Sequence, residues 1–250
     1  MITLKSDSEI AKMREAGKVL ASTMREVSEL IEPGVTLSKL NRLAERLIVE
    51  AGCLPSFKGY RGYPAASCIS VNNVVIHGIP DEYELKSGDV VGLDFGVIRD
   101  GWHADSAWTF AVGEISDSAQ RLLNVTRESL SQGIAKAREG NRLGDIGATV
   151  QKYVENNGYQ VVREMVGHGI GRDLHEEPSV PNYGKAGKGI RLQSGMTICI
   201  EPMVNEGTYK VNTLADGWTI VTADGKLSAH FEHTVAITAD GPEILTLPEA

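Results

Sequence analysis

The stretch from Val90 to Phe110, VVGLDFGVIRDGWHADSAWTF, decides the fold. Its apolar run is interrupted by Asp94, turns at an Asp-Gly pair at residues 100 and 101, and returns carrying Asp105. Alternating apolar residues around Asp-Gly predict a β-hairpin with a two-residue turn. In that register Gly96 faces Asp105, and the side chains of Asp94 and Asp105 project from the same side of the sheet.

These two aspartates are an unusual pair for a half-buried sheet. Two like charges held about 5 to 8 Å apart repel each other and lose hydration, so either one carboxyl group is protonated or a cation lies between them. The hairpin alone leaves both alternatives open.

The composition sets limits on the function. The 250 residues are 42% hydrophobic and 23% charged, which is typical of a globular chain large enough for one domain or two fused halves. The formal net charge of −8 argues against nucleic-acid binding. Three cysteines without a CxxC pattern favour the reducing cytoplasm. The charged N-terminal segment does not resemble a signal peptide, and no apolar run is long enough to span a membrane, so we expect a cytoplasmic location.

A helical pattern occurs twice along the chain. Capping residues and apolar periodicity predict helices over residues 7–31, 37–51, 117–139 and 143–156. Glycines 18 residues apart bracket the second helix of each pair, Gly34 with Gly52 and Gly140 with Gly158.

A strand motif repeats with nearly the same spacing. LKSGDVVGLDF from Leu85 matches LQSGMTICIEP from Leu192, which aligns Asp94 with Glu201. Two copies of helix, helix and strand predict an α+β fold with two pseudo-symmetric halves, roughly 7–110 and 116–240. No linker separates them, so we expect one catalytic domain over residues 1–250.

Four segments place acidic or histidine side chains in unusual surroundings. They are Asp94 with Asp105, VGHGIGRDLHEEP with His168 and His175, CIEPM with Glu201, and HFEHTVAI with Glu232. A carboxylate within an apolar strand is costly unless it is paired or bound to a metal. Four carboxylates and one imidazole suit two divalent cations that share a water molecule, which is the composition of a dinuclear hydrolase.

The blocks VNNVVIHGIP, LDFGVIRDGWHADSAWTF, GHGIGRDLHEEP, IEPM and FEHT resemble those of the type I methionine aminopeptidases, and the resemblance covers nearly the whole chain. It implies a pita-bread fold, in which two pseudo-symmetric halves have central antiparallel sheets flanked by helices. It also implies removal of the initiator methionine from nascent polypeptides with a small second residue, by attack of a hydroxide that bridges two divalent metals. Cobalt, manganese, iron and zinc all suit such a ligand set.

The resemblance assigns roles residue by residue. Five positions match the metal ligands of that family: Asp94, Asp105, His168, Glu201 and Glu232. Among them Asp105 and Glu232 match the bridging carboxylates, and Glu201 has a second role in proton transfer. His77 matches the histidine that contacts the substrate amide, and His175 matches the one near the scissile carbonyl.

The resemblance also implies an apolar pocket for the methionine side chain. Its lining positions are Tyr60, Tyr63, Cys68, Leu174 and Trp218. Leu174 stands where many relatives carry Phe, which leaves the shape of one wall open. His230 stands where Gln is common, and it either forms a hydrogen bond near the ligands or faces solvent. His103 is expected to be a bystander and His233 a structural residue.

Two other functions remain alternatives. Xaa-Pro aminopeptidases and prolidases use similar ligands but usually carry a large extra N-terminal domain, whereas the first predicted helix here begins within ten residues of Met1. A non-enzymatic pita-bread protein would typically have lost ligands. The expected partners are the N-termini of nascent polypeptides. A transient ribosome association would use the surface of the catalytic domain, and we expect a monomer.

Overall fold

The computed structural model describes residues 2–247. Four α-helices have the bounds α1 Asp7–Ser28, α2 Leu37–Glu50, α3 Asp117–Lys136 and α4 Leu143–Asn156. The hydroxyl oxygens of Thr36 and Ser116 accept hydrogen bonds from the first turns of α2 and α3, as the capping patterns predict.

Two predicted helix ends are wrong by three residues. Helix α1 ends at Ser28 instead of residue 31, because the next turn closes with i→i−3 hydrogen bonds: Leu30 N donates to Val27 O and Ile31 N donates to Ser28 O. Helix α3 ends at Lys136 instead of residue 139. There the side-chain amide of Asn141 donates to the Lys136 carbonyl oxygen and so satisfies a free acceptor at the helix terminus.

Fifteen strands are assigned within the described residues: β1 Leu54–Pro55, β2 Ser67–Val71, β3 Val74–Ile76, β4 Val90–Arg99, β5 Trp102–Ala111, β6 Gln160–Val161, β7 Gly167–Gly169, β8 Glu176–Val180, β9 Thr197–Ile200, β10 Met203–Asn205, β11 Val211–Thr213, β12 Ile220–Thr222, β13 Ser228–His230, β14 His233–Thr238 and β15 Gly241–Ile244. One sheet has the order β1-β4-β2, with β5 paired to β4, and another has the order β15-β14-β9-β7-β8. Two smaller sheets are formed by β13-β10-β6 and β11-β12-β3. The assigned strand pairs are antiparallel.

The predicted hairpin register is confirmed. Asp94 pairs with Ala107, Gly96 with Asp105, and Arg99 with Trp102. Asp100 and Gly101 connect the strands with φ angles of 51° and 75°. Positive φ at both turn positions defines the type I′ turn, whose twist matches that of the flanking strands.

The two halves repeat each other, as predicted. Helices α2 and α4 each contain 14 residues and begin 106 residues apart. Strands β4 and β9 begin 107 residues apart, which places Glu201 at the position that corresponds to Asp94.

Each half buries its helices against its own sheet. Leu20 of α1 and Leu40 of α2 belong to one apolar cluster with Leu93 of β4. Leu122 of α3 belongs to a second cluster with Ile198 of β9. Each such buried side chain contributes about 1.5 to 3 kcal/mol. Because side chains alternate along a strand, Asp94 lies on the sheet face opposite to Leu93, away from the helices.

Hydrogen bonds between β5 and the chain around β14 join the halves. The Thr234 hydroxyl accepts from Asp105 N at 2.9 Å and donates to Asp105 O at 2.8 Å. Glu232 N donates to Ala107 O at 2.7 Å. The junction therefore brings the carboxylate of β5 next to the carboxylate that precedes β14.

Candidate active site

A pocket of about 300 Å³ lies where the halves meet, and every predicted site residue lines it. One end, called here the acidic end, contains Asp94, Asp105, His168, Glu201 and Glu232. The other, called the apolar end, contains Tyr60, Tyr63, Cys68, Leu174 and Trp218. His77 and His175 also line the pocket.

The four carboxylates of the acidic end lie in surroundings that oppose their ionisation. Burial, followed by the charges of Asp105 and Glu201, raises the pKa of Asp94 well above its usual value. Burial raises the pKa of Asp105 to about 7, although the backbone N–H of Ser106 lowers it. Burial and the Asp105 charge likewise raise the pKa values of Glu201 and Glu232. The protein alone therefore cannot hold four carboxylates here in their ionised form without a large cost.

The orientation of His168 adds a lone pair to this negative cluster. Its Nδ1 lies 2.9 Å from the carbonyl oxygen of Gly169, which can only accept, so Nδ1 carries the proton. Burial and the neighbouring His175 lower the pKa of His168 to about 3, which keeps the ring neutral. The unprotonated Nε2 then lies 3.6 Å from a Glu201 oxygen and 3.9 Å from an Asp105 oxygen. A lone pair that faces two carboxylates is the arrangement of a metal-binding histidine.

Unpaired oxygens show that divalent cations fit this cluster. Among the described residues, buried Oδ1 of Asp94, Oδ1 of Asp105 and Oε1 of Glu232 have no hydrogen-bond partner. Buried polar atoms in proteins are nearly always paired, so three unpaired carboxylate oxygens in one cluster indicate a position that binds a ligand. Oxygen atoms with one imidazole nitrogen are ligands that hard or borderline divalent cations accept.

Two residues beside the acidic end, Cys199 and His230, were given no definite position by the sequence. Cys199 Sγ and single ligand atoms of Asp105, His168 and Glu232 all lie within 4.8 Å of one another. Residues i and i+2 share a strand face, so the position of Cys199 two residues before Glu201 was a usable signal. His230 is buried, which excludes the solvent-facing alternative. Its Nε2 lies 3.8 Å from Glu201 Oε2 and has no hydrogen-bond partner among the described residues, so the expected hydrogen bond near the ligand positions is not seen for this atom.

The histidines on either side of the pocket differ in their surroundings. His175 remains accessible to solvent, and its Nδ1 lies 2.9 Å from the Tyr60 hydroxyl. Burial of the ring, followed by the charge of Arg61, lowers the pKa of His175 to about 4. His77 has a φ of 58°, and burial lowers its pKa. A non-glycine residue in the left-handed region is strained, which is a frequent property of functional positions.

The apolar end is a set of packed rings with its polar atoms satisfied. The rings of Tyr63 and Trp218 meet edge to face at 5.1 Å, and Leu174 belongs to the same apolar cluster. The Tyr63 hydroxyl lies 3.0 Å from the Gly78 carbonyl oxygen, to which it donates. Phe57 also lines the pocket, in the same apolar cluster as Leu174, and was not among the residues predicted from the sequence.

Two other histidines lie outside the residues that line the pocket, as expected. His103 Nδ1 lies 3.0 Å from the Ser56 hydroxyl. His233 Nδ1 lies 2.8 Å from the Thr246 hydroxyl, and its ring packs edge to face on Trp108. Their polar atoms are used in local packing.

Comparison with known proteins decides the family. The model of metallopeptidase family M24 matches residues 11–239. A methionine aminopeptidase of Clostridium perfringens is 57% identical over 99% of each chain, and methionine aminopeptidase 1 of Bacillus subtilis is 52% identical over 98% of this chain and 99% of its own. The chain belongs to metallopeptidase family M24, among its methionine aminopeptidases. It is therefore a metal-dependent hydrolase.

Solved structures of this family share the fold. The crystal structure of a methionine aminopeptidase from Rickettsia prowazekii superposes with a TM-score of 0.98 at 43% identity, over 99% of this chain and 100% of that chain. A prolidase from Pyrococcus horikoshii superposes with a TM-score of 0.80 at 22% identity, and 64% of its chain is covered. At that identity the prolidase shows the pita-bread fold alone. Among the described helices, none has the length and apolar character needed to cross a bilayer.

Proposed function

We propose that this hydrolase removes methionine from the N-termini of polypeptides, with two divalent metals held at the acidic end and the methionine side chain at the apolar end. The observation that carries the proposal is the set of unpaired buried carboxylate oxygens beside an unprotonated His168 nitrogen, in the same pocket as an apolar cleft. We treat residues 1–250 as one catalytic domain, since both halves contribute residues to this pocket.

The acidic end would hold the metals through side chains from both halves. These are Asp94, Asp105, His168, Glu201 and Glu232. Bound divalent ions polarise a peptide carbonyl and lower the pKa of a water molecule, so that it becomes a nucleophile near neutral pH. Asp105 of β5 and Glu232, directly before β14, lie where hydrogen bonds join the two halves of the molecule. This central position supports a role for both carboxylates as ligands shared by the two metals. The sequence and structure are compatible with cobalt, manganese, iron or zinc.

The histidines act on the peptide that enters the pocket. Neutral His175 stands beside the acidic end, where its ring lies 4.2 Å from that of His168. Its imidazole is placed to donate a hydrogen bond to the oxygen that becomes negative during attack on the carbonyl. In this proposal His77 contacts the substrate amide, and Glu201 carries the proton to the departing amine.

The apolar end supports methionine as the first residue. Aromatic rings from Tyr60, Tyr63 and Trp218 surround the space beside Cys68 and Leu174. Thioether sulfur packs favourably against ring edges, and an unbranched chain fits an irregular apolar cleft. The preference for a small second residue rests on the resemblance to the family.

The cellular setting belongs to the same proposal. Nascent polypeptides in the cytoplasm are the natural source of N-terminal methionine, and the reduced state of the three free cysteines suits that compartment. We also propose that the enzyme works as a monomer and associates transiently with the ribosome through its own surface.

A peptide panel tests the proposal. The metal-loaded protein is incubated with Met-Gly, Met-Lys and Xaa-Pro peptides, and the products are identified by mass. We expect release of methionine from the Met-Gly peptide alone. Cleavage of the Xaa-Pro peptides instead would favour the prolidase alternative.

A further inference from the structure

The segment that precedes α1 lies against the turn that carries His175. Lys5 in this segment is buried, with its side chain only 2% exposed, and Nζ lies 2.5 Å from Glu176 Oε2. Lysine is almost never this buried unless it is paired. Its backbone N–H also donates to the Gly195 carbonyl oxygen at 2.7 Å, so both main chain and side chain are held.

Glu176 uses its second oxygen to organise the turn. Oε1 accepts hydrogen bonds from the backbone N–H groups of Arg172 at 2.8 Å and Asp173 at 3.3 Å. A Cβ at Gly171 would lie 2.5 Å from this oxygen and 2.6 Å from Lys5 Cε, so the turn is closed tightly around the ion pair. One carboxylate therefore connects the N-terminal segment to the turn.

The hairpin holds the start of the same turn. The Arg172 guanidinium lies 4.1 Å from the centre of the Trp102 ring, and His103 N donates to Gly171 O at 2.8 Å. His175 comes at the far end of the turn, next to Glu176. The hairpin contacts hold residues 171 and 172, and pairing with Gly169 of β7 holds the backbone of Glu176. The Lys5–Glu176 pair holds the Glu176 carboxylate, which in turn holds the backbone just before His175.

We propose that Lys5 is a positioning residue for His175, acting through Glu176. Lys5 is not among the described residues that line the pocket, and the inference rests on the role of His175 in the proposed function. Removing one partner of a buried ion pair leaves an uncompensated charge, which the structure relieves by moving. Because a displacement of about 1 Å can cost up to 10²-fold in rate, a shift of the turn lowers the rate of the chemical step.

The first test compares two ion pairs. Lys5→Met keeps most of the side-chain volume and removes the charge. In the metal-loaded full chain we expect kcat for a Met-Ala-Ser peptide to fall about tenfold, with KM changed less than about twofold. Arg14→Met is the comparison at a half-exposed pair, because the Arg14–Glu243 pair at 2.6 Å also joins the N-terminal region to a distant strand but lies outside the pocket lining. This control should keep kcat close to the original value.

The decisive test repeats Lys5→Met in a His175→Ala background. If Lys5 acts through His175, the substitution costs about tenfold in the original chain and nothing further in the background. Equal losses in both backgrounds, or an equal loss in Arg14→Met, would overturn the inference while leaving the proposed function intact. If His175→Ala itself left kcat unchanged, both the role of His175 and this inference would be wrong.

Two further variants protect the measurement. Glu176→Gln removes the negative charge of the same ion pair. It is measured in place of Lys5→Met if the Lys5→Met protein fails to fold. Lys5→Arg keeps the charge and should retain at least about half of the original kcat. A loss in Lys5→Arg as large as that in Lys5→Met would contradict the ion-pair explanation.

Discussion

The acidic and apolar ends of the pocket differ in whether the protein alone satisfies their polar atoms. At the apolar end, the Tyr63 hydroxyl donates to a backbone carbonyl, and the rings pack on one another. At the acidic end, buried oxygens of Asp94, Asp105 and Glu232 have no hydrogen-bond partner within residues 2–247. Both ends contain buried residues, so burial alone does not identify the end that binds metal. Unpaired buried carboxylates identify it, because a bound cation compensates their charge.

The largest expected effect comes from removing one charge at the acidic end. Asp105→Asn keeps the shape of the side chain, and the backbone of residue 105 stays hydrogen-bonded to Thr234. We expect turnover to fall by about 10³-fold or more because a bridging carboxylate neutralises both cations. The measurement is kcat together with metal content. More than a few per cent of the original activity with unchanged metal content would refute the bridging role.

Asp89→Asn is the matched control. Asp89 is also a buried aspartate, but its oxygens accept from the Asn72 amide, the Tyr83 hydroxyl and the Lys86 backbone. Its replacement should therefore reduce stability and leave turnover nearly unchanged. If turnover were lost in both Asp89→Asn and Asp105→Asn, hydrogen-bonded and unpaired buried aspartates would not differ in their importance for activity.

A smaller loss is expected between the two ends, at His175. His175→Ala should retain its metals and lose about 10²-fold in kcat, the size expected for one hydrogen-bond donor to a developing oxyanion. His103→Gln, at a histidine that does not line the pocket, should keep kcat within about twofold. Loss of metal from the His175 variant would make that residue a ligand and contradict its assignment.

The pH dependence of stability gives a third test of the acidic end. Groups with raised folded-state pKa values, such as Asp105 at about 7, stabilise the fold when protonated, and this contribution is lost as pH rises. All six histidines have the opposite sign, because their folded-state pKa values are lowered while the unfolded chain still binds protons at pH 6.5. This histidine contribution is common to metal-free and metal-loaded protein. From pH 6.5 to 8 we therefore expect metal-free protein to lose roughly 1 kcal/mol, or about 2 to 4 °C in Tm, relative to metal-loaded protein.

Metal-loaded protein is the comparison in that experiment. Its carboxylates are already ionised and bound to cations, so they add no pH dependence to its stability over the same interval. Parallel curves for the metal-free and metal-loaded forms would show that the carboxylates are not the source of the effect.

The smallest effect is expected at the apolar end. Leu174→Phe should change the ratio of kcat/KM for Met-Ala-Ser and Leu-Ala-Ser peptides by roughly tenfold or less, because apolar pockets separate similar side chains by about 1 to 3 kcal/mol. Leu214→Phe adds the same ring at a half-exposed leucine that does not line this pocket, and should leave the ratio unchanged. An identical ratio in the original protein and Leu174→Phe would remove Leu174 from the specificity pocket.

Sequence patterns predicted the parts of the fold that local rules decide. The Asp-Gly turn fixed the register of β4 and β5, and the repeated glycines and strand motif located α2, α4 and Glu201. Helix ends were less predictable, because α3 stops where the side chain of Asn141 binds a terminal carbonyl oxygen and α1 stops where the backbone changes to i→i−3 hydrogen bonds.

The residues of the candidate site that lie on strands could be predicted from the strand pattern. Those on irregular segments were harder to predict. Residues that line the pocket from irregular segments, such as Phe57, carry no periodic signal. The Lys5–Glu176 pair joins residues 171 positions apart, and no local pattern predicts a contact at that separation. Cys199 is the exception, because its strand face could have been inferred from Glu201.

The measurement that most directly tests the account is a metal titration of chelator-treated protein. Mn²⁺ or Co²⁺ is added in increasing amounts, and bound metal and methionine release from Met-Ala-Ser are measured in the same samples. We predict no release from metal-free protein, release that rises with bound metal up to two equivalents, and weakened binding in Asp105→Asn. Full turnover in the metal-free protein, or binding that Asp105→Asn leaves unchanged, would contradict the claim that the acidic end is completed by divalent cations.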